Sequence, residues 1–169
     1  MLFLQTPGGV VGNVQSGGSV TYCYATGNIT GTYTVGGVVA AISSNAVRSC
    51  VALNASLKTA GGTVRRVGWI YDGYSPSTNH GRGTGSTGTS GMTMYYLNTQ
   101  TYSPTTASAV HNATDGATTT NYNTSGFWTT ASNWYNSVAW DTTNTWEWST
   151  NKLILRNMPG ATQNHTVPQ

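Results

Sequence analysis

The chain has 169 residues, of which only 7% are charged, and seven Lys and Arg against four Asp and Glu give a formal net charge of +3. A chain of this length predicts one domain with a sizeable core, and so few charges exclude a coiled coil or a charged helical bundle. Nucleic-acid binding is also disfavoured, because it needs clustered cations and Arg65-Arg66 is the one basic doublet.

Short apolar runs separated by turn residues predict an all-β protein. Aromatic residues make up 11% of the chain, 21 residues are Gly, and Val, Ile and Ala cluster in runs such as 35–42. This pattern is too apolar for a disordered chain and indicates many short strands joined by turns. No run approaches the roughly 18 apolar residues of a membrane-spanning helix, and residues 1–9 lack the basic lead and apolar length of a secretory signal.

Two blocks of sequence recur in the same order, which predicts a repeat protein. Gly-Gly-Val-Val-Gly at residues 8–12 returns as Gly-Gly-Val-Val-Ala at 36–40, an offset of 28. Cys-Tyr-Ala-Thr-Gly at 23–27 returns as Cys-Val-Ala-Leu-Asn at 50–54, an offset of 27.

A third, less similar copy follows the first two. Residues 64–69 align with 35–40 at an offset of 29, and residues 94–98 align with 50–54 at an offset of 44. The extra residues fall in the Gly-, Ser- and Thr-rich stretch 71–91, which predicts an inserted loop. Insertions within a repeat commonly lie on one face, often the face that binds a ligand.

A repeat of about 27 residues cannot bury its apolar side alone, but stacked copies can. We therefore predict an all-β fold, a parallel β-solenoid (β-helix) of about three coils, right-handed by the usual rule for parallel crossovers. Residues 1–111 would form the coils, with Cys23, Cys50 and Met94 in one ladder. Residues 112–158 would form a Trp-rich C-terminal cap, with strands at 146–148 and 153–155 and a short helix near 126–131, and residues 159–169 a mobile tail.

Residues 23–31 and the Val-Gly-Gly-Val-Val block at 35–39 resemble the GLUG repeats of bacterial surface and secreted proteins. Residues 146–148 and 153–160 are similar to the segment that ends such arrays. The resemblance implies an extracellular bacterial β-solenoid module of the kind found in large adhesin-like proteins and beside some immunoglobulin-A-cleaving peptidases. It implies no enzymatic activity. Ala40 in the second block and Arg65-Arg66 in the third depart from the repeat pattern.

The repeat places Cys23 and Cys50 on neighbouring coils, within the distance that a disulfide spans. Two interpretations remain open at this point. In an exported protein the pair predicts a disulfide, whereas free thiols would pack in a ladder as small apolar side chains.

Catalytic and metal sites find little support in the acidic and histidine residues. The carboxylates are scattered, and Asp141 with Glu147 is the one pair close in sequence that could face each other as glycoside hydrolysis requires. Turn capping and hydrogen bonding are the alternative roles for these two. The three His share no metal-ligand spacing. We predict no catalytic residues, no metal and no cofactor.

The sequence predicts two places at which side chains of this protein would bind a ligand. One is the inserted loop, with Tyr71, Tyr74, His80 and Arg82. The other is an aromatic platform for sugar rings that includes Trp128 and Trp134, although packing within the cap explains these Trp residues equally simply.

The predicted function is a non-catalytic scaffold or adhesion module that is extracellular or on a bacterial cell surface. The alternatives are a carbohydrate-binding or polysaccharide-processing β-helix and a self-assembling filament subunit. The expected partner is a host or matrix glycan or protein, or another copy that pairs with the open coil at residues 1–12. No nucleic acid and no membrane span are expected.

Overall fold

The computed structural model describes residues 7–15, 17–42, 47–70, 78–82, 93–98, 101–104, 117–119, 121–150 and 152–158. Strands dominate these ranges, and helix is confined to short segments, so the protein is mostly β. Within the same ranges, no helix has the length and apolar character needed to cross a bilayer. Tyr71, Tyr74 and the predicted tail at 159–169 lie outside the described residues.

Seventeen strands are present in these ranges, most of them two to four residues long. They are β1 (Val11–Val14), β2 (Val20–Thr21), β3 (Tyr24–Ala25), β4 (Ile29–Gly31), β5 (Val35–Gly36), β6 (Val39–Ile42), β7 (Val47–Arg48), β8 (Val51–Ala52), β9 (Ser56–Thr59), β10 (Val64–Arg65), β11 (Trp69–Ile70), β12 (His80–Arg82), β13 (Thr93–Asn98), β14 (Thr101–Pro104), β15 (Ala117–Thr119), β16 (Trp146–Ser149) and β17 (Lys152–Leu155).

The first two repeats pair strand by strand, in parallel and in the predicted register. In β1 and β6, Val11 pairs with Val39, and an isolated bridge joins Gly8 to Gly36, so both pairs have the predicted offset of 28. In β3 and β8, Tyr24 pairs with Val51 at an offset of 27. The strand pairs β2–β7 and β4–β9 are parallel as well. The repeated sequence blocks therefore correspond to stacked strands.

The first half of the third repeat also follows the predicted alignment. Val64 of β10 pairs with Val35 of β5 at the expected offset of 29. The register then shifts by one residue, because Trp69 of β11 pairs with Ala41 rather than with Ala40. The three-stranded sheet β1-β6-β11 results.

The second half of the third repeat corrects the prediction. Met94 pairs with Leu57 of β9, so the predicted ladder of Cys23, Cys50 and Met94 is wrong. Strand β12 supplies the third copy instead: His80 pairs with Val51, so Asn79 takes the place next to Cys50. Residues 71–91 are thus not one inserted loop, because His80–Arg82 is a strand of the repeat. Strands pair through backbone hydrogen bonds whatever their side chains are. Strand β12 has no apolar side chain that repeats, so the repeat pattern in the sequence did not predict it.

The parallel sheet also extends into the predicted cap. Strand β15 pairs with β12 in the order β15-β12-β8-β3, and β14 adds an antiparallel strand to β13. Two elements predicted for this region are present: α1 (Ser125–Thr129) lies near the predicted helix, and β16 and β17 form an antiparallel hairpin at the predicted strands. Two 3-10 helices, Ala131–Asn133 and Tyr135–Ser137, follow α1.

The core between the sheets consists mainly of Val, which suits short, closely spaced strands. Val35, Val38, Val39 and Val64 are fully buried, and Leu57 packs with them. Gly37 lies at a close approach of successive repeats: a Cβ there would overlap the Arg66 carbonyl oxygen and lie 2.9 Å from the Ala52 Cβ. The Gly-Gly pair of the repeat therefore allows backbone contact between repeats.

We expect Gly37→Ala to lower the free energy of unfolding by about 3 kcal/mol, because the methyl group would force the second and third repeats apart. Gly27→Ala is the matched control, since a Cβ at Gly27 meets no atom within 4 Å. Urea denaturation of both variants measures the difference. Equal stability of the two variants would show that the repeats do not approach as described.

Candidate functional site

An aromatic cluster covers one face of the repeats. We use this name for nine side chains, of which Trp140 is in edge or tilted contact with Tyr22, Trp128 and Trp146, at ring-centroid distances of 5.9, 4.8 and 5.0 Å. The members are Tyr22, Tyr24, Tyr122, Phe127, Trp128, Trp134, Trp140, Trp146 and Trp148.

The six-residue spacing of the Trp residues has a structural cause. The Nε1–H of Trp128 donates to the carbonyl of Tyr122 at 2.9 Å, and that of Trp134 donates to the carbonyl of Trp128 at 3.0 Å. These two indoles thus bond to the backbone six residues before them. The pattern stops at Trp140, whose buried Nε1 has no hydrogen-bond partner among the described residues.

The cluster docks on side chains that the first two repeats present. The rings of Tyr24 and Trp128, and those of Tyr24 and Trp146, are each 5.7 Å apart, while Val51 and Leu53 supply the second repeat's share of the contact. The Tyr24 hydroxyl donates to the carbonyl of Leu153. Burial raises the pKa of Tyr24 well above its usual value, so this hydroxyl stays a donor.

The prediction of an exposed platform at Trp128 and Trp134 is wrong. Their side chains are only 1% and 2% exposed. A sugar ring needs an open indole face on which to stack, and these faces are covered by other aromatic rings. Packing within the cap, the other interpretation of these Trp residues, accounts for their position.

His80 and Arg82 both lie on β12, beside the cap rather than in a loop. The His80 ring is 5.1 Å from that of Phe127 and 4.9 Å from that of Trp134, and its Nε2 lies 2.9 Å from the carbonyl oxygen of Asn133. Arg82 is 3% exposed. Arg82 is thus closed to a ligand and the His80 ring is engaged by Phe127, Trp134 and Asn133, so the structure gives no support to their predicted role in ligand binding.

Burial lowers the pKa of His80, and the positive charge of Arg66 lowers it further, against the opposing effect of the Asn133 carbonyl. The ring is therefore neutral at physiological pH. The neutral ring packs between the third repeat and the cap, where it is hydrogen-bonded to the carbonyl of Asn133 and contacts the ring of Trp134.

Asp141 and Glu147 have separate structural partners. The Asp141 carboxylate accepts hydrogen bonds from the backbone N–H groups of Thr143 and Asn144, at 3.1 and 2.9 Å, which lower its pKa. Glu147 lies 3.6 Å from Arg156, whose side chain also donates to the backbone carbonyl of Trp146 at 2.8 Å. Turn capping and hairpin closure describe both residues better than a facing catalytic pair. In the described ranges, no three His, Cys, Asp or Glu side chains gather as metal ligands would.

The two cysteines are free thiols that lie side by side. The N–H of Val51 donates to the carbonyl of Cys23 at 2.9 Å, which continues the register of β3 and β8 back to Cys23 and Cys50. Cys23 is half-buried, and Cys50 is fully buried. A disulfide is therefore not present, whereas the predicted adjacency of the two residues is confirmed.

The same backbone bend precedes both cysteines. Tyr22 and Ser49 adopt left-handed conformations, with φ of 51° and 53°. A left-handed residue other than Gly costs energy, so its recurrence at equivalent positions means that stacking of the repeats holds the bend in place. Each bend turns the chain at a corner and sets the following cysteine at the start of the next sheet.

Comparisons with known proteins agree with the first repeat. Residues 5–30 match the family model described as the GLUG motif. The chain therefore carries this motif, and the resemblance inferred from Cys23 onward is confirmed for the first repeat. No curated protein and no solved structure gave a match.

Docking of the cap is tested by Tyr24→Phe, which removes the hydroxyl bonded to Leu153. We expect a loss of about 1–2 kcal/mol in the free energy of unfolding, because the buried Leu153 carbonyl loses its donor. Tyr33→Phe is the control, since Tyr33 is 43% exposed, and we expect a change below about 0.5 kcal/mol. Chemical denaturation followed by Trp fluorescence measures both, and equal losses would contradict the docking geometry.

A second prediction concerns pH. Because the folded-state pKa of His80 is below its unfolded value, the unfolded chain binds more protons, and stability must fall as the pH drops below about 6.5. In His80→Gln the slope of unfolding free energy against pH should be shallower between pH 5 and 7, a window set by the usual pKa of about 6.5. Identical slopes in the two proteins would mean that His80 titrates freely in the folded state.

Proposed function

We propose that this GLUG-motif chain is a non-catalytic extracellular scaffold or adhesion module, built as a right-handed parallel β-solenoid of about three coils. The observation that carries the proposal is the nearly constant register of the parallel pairs. Val11 with Val39, Tyr24 with Val51 and Val35 with Val64 pair at offsets of 28, 27 and 29. A chain that returns to the same place after each repeat, always in the same direction, fits successive coils of a solenoid.

Such a stack suits a spacer or display role. Each repeat adds about 4.8 Å of height, so surface side chains would be held at fixed intervals along a stiff body. Stability in such a body comes mainly from contacts between neighbouring repeats, here the Val core that includes Val38, Val39 and Val67. A stiff body of this kind can hold a binding surface away from a cell without any chemistry of its own.

The roles of the titratable groups support a function without catalysis. Asp141 caps a turn, Glu147 faces Arg156, and His80 is wedged between aromatic rings. A hydrolytic site would instead place an acid and a base facing each other across the substrate.

The expected partner is a host or matrix glycan or protein, or another copy that extends the sheets. Strands β1, β3 and β4 stand at one end of their sheets in the described part of the chain. The N–H groups of Val10 and Val11 already bond to the Val38 carbonyl, so the open side of this strand is the opposite one. Val10, 44% exposed, is the large apolar side chain at this edge. An open edge of this kind can pair with another strand.

The test combines location and binding. Antibodies against the chain should label intact cells of the source organism or its culture medium, and the purified chain should bind a member of a glycan or matrix-protein array. Incubation with bound polysaccharides or peptides should release no product, because Asp141 and Glu147, the two carboxylates in the described ranges, each hold a separate structural partner.

Two results would contradict the proposal. One is antibody labelling only after the cells are permeabilised. The other is turnover of a substrate that Asp141→Asn or Glu147→Gln abolishes. Lys152→Gln is the matched control on the same hairpin, since it also replaces a charged side chain by a neutral amide and leaves both carboxylates in place.

A further inference from the structure

We propose that Cys23 and Cys50 form a thiol–disulfide exchange site, in which Cys23 attacks a small disulfide of the glutathione type and Cys50 resolves the product. The end state is a covalent bond between the first and second repeats. The proposal is independent of where the protein resides and of what it binds.

The register brings the two sulfur atoms within bonding reach. Cys23 and Cys50 directly precede the paired residues Tyr24 and Val51 on adjacent parallel strands. Adjacent strands are about 4.8 Å apart, inside the range of about 4.4 to 6.8 Å that separates the Cα atoms of disulfide-bonded residues. The Cys50 thiol also donates to the carbonyl of Val20 at 3.4 Å, on the strand that leads to Cys23, and each cysteine shifts the pKa of the other.

The two bends make this geometry rigid. Tyr22 and Ser49, the residues just before the cysteines, share the same left-handed conformation. The backbone therefore enters both cysteines in the same direction, so the Cα–Cβ bonds point alike. A disulfide between them needs a rotation of the side chains and a small approach of the two Cβ atoms, from the strand spacing of about 4.8 Å to the roughly 3.5–4.5 Å of a disulfide.

Asn79 restricts Cys50 to one partner. Asn79 precedes His80, which pairs with Val51, so it stands next to Cys50 on the side away from Cys23. Its Oδ1 accepts from the Cys50 N–H, and its Nδ2 donates to the Val47 carbonyl, both at 2.8 Å. Asn79 and Cys50 are both fully buried. Reagents in solution therefore meet the half-buried Cys23 first.

The charges within the pair give the two thiols different roles. Interaction with the neighbouring Cys50 side chain lowers the pKa of Cys23 to about 7, even though burial acts in the opposite direction. The same contact and burial raise the pKa of Cys50. At neutral pH Cys23 is thus partly a thiolate, the reactive form, whereas Cys50 stays protonated.

The reaction balances with one small disulfide. The Cys23 thiolate attacks a sulfur of oxidised glutathione, the glutathione S–S bond breaks, and one glutathione leaves and takes up a proton. Cys50 then loses its proton to solvent and attacks the Cys23 sulfur, which releases the second glutathione. Two protein thiols are oxidised to one disulfide, and one glutathione disulfide is reduced to two thiols. The first step removes the negative charge of Cys23, which favours ionisation of Cys50 for the second.

The test uses the full chain, fully reduced and then treated with oxidised glutathione. Peptide mapping should find Cys23 joined to Cys50, with loss of two hydrogen atoms and no retained glutathione. The oxidised chain should melt several degrees higher than the reduced chain, because the bond closes a long loop between repeats. The initial rate should rise with pH, reach half of its maximum near pH 7 and level off above that, as the Cys23 thiolate forms.

The single variants separate the two roles. Cys50→Ser should keep one glutathione on Cys23 and gain no thermal stability, whereas Cys23→Ser should stay unmodified while folded. In case a variant does not fold, alkylation of the reduced wild-type chain gives the same information, with Cys23 labelled faster than Cys50.

Three outcomes overturn the proposal: no reaction of the wild-type chain, a wild-type chain that keeps glutathione on Cys23, or labelling of Cys50 as fast as Cys23. The first would mean that Cys23 is not an accessible thiolate. The second would mean that Cys50 cannot reach Cys23. The third would mean that Cys50 is not protected by Asn79 and its burial.

Discussion

Parallel pairing of each repeat with the next, at a nearly constant offset along the chain, is the constraint on which the rest of the structure depends. Such pairing stacks equivalent residues of successive repeats, so each side chain has to pack against the equivalent side chains of the neighbouring repeats. Small Val side chains fill the interior, and Gly37 leaves room for the Arg66 carbonyl. A bulky residue at such a position would disturb the packing of two repeats at once, which is why the Gly-Gly-Val-Val block recurs.

The same parallel pairing positions both the Cys23–Cys50 thiol pair and the aromatic cluster. The left-handed bend at Tyr22 turns the chain so that Cys23 faces Cys50, and the Tyr22 ring reaches the cap at Trp140, 5.9 Å away. One corner therefore supports both the thiol pair and the aromatic cluster. Loss of register by a single residue would reverse the direction of each side chain and separate both sets of contacts.

The sequence predicted the strand pairing correctly where similar residues recur, and it failed to predict the pairing where they do not. Recurrence of the Cys and Gly-Gly blocks predicted the pairs Val11–Val39 and Tyr24–Val51. The strand at His80 was not predicted, because pairing through the backbone does not require apolar side chains. Residues 94–98 resemble residues 50–54 by chance, and this similarity predicted the wrong register for β13. For Trp128 and Trp134, composition indicated aromatic packing but not burial, since exposure depends on which face meets the repeats.

The register itself is the claim to test most directly, by nuclear Overhauser contacts in the isotopically labelled chain. The account predicts backbone proton contacts between Val11 and Val39, between Tyr24 and Val51 and between Val35 and Val64, in the pattern of parallel strands. Contacts confined to strands that follow each other directly in sequence, as in antiparallel hairpins, would contradict it.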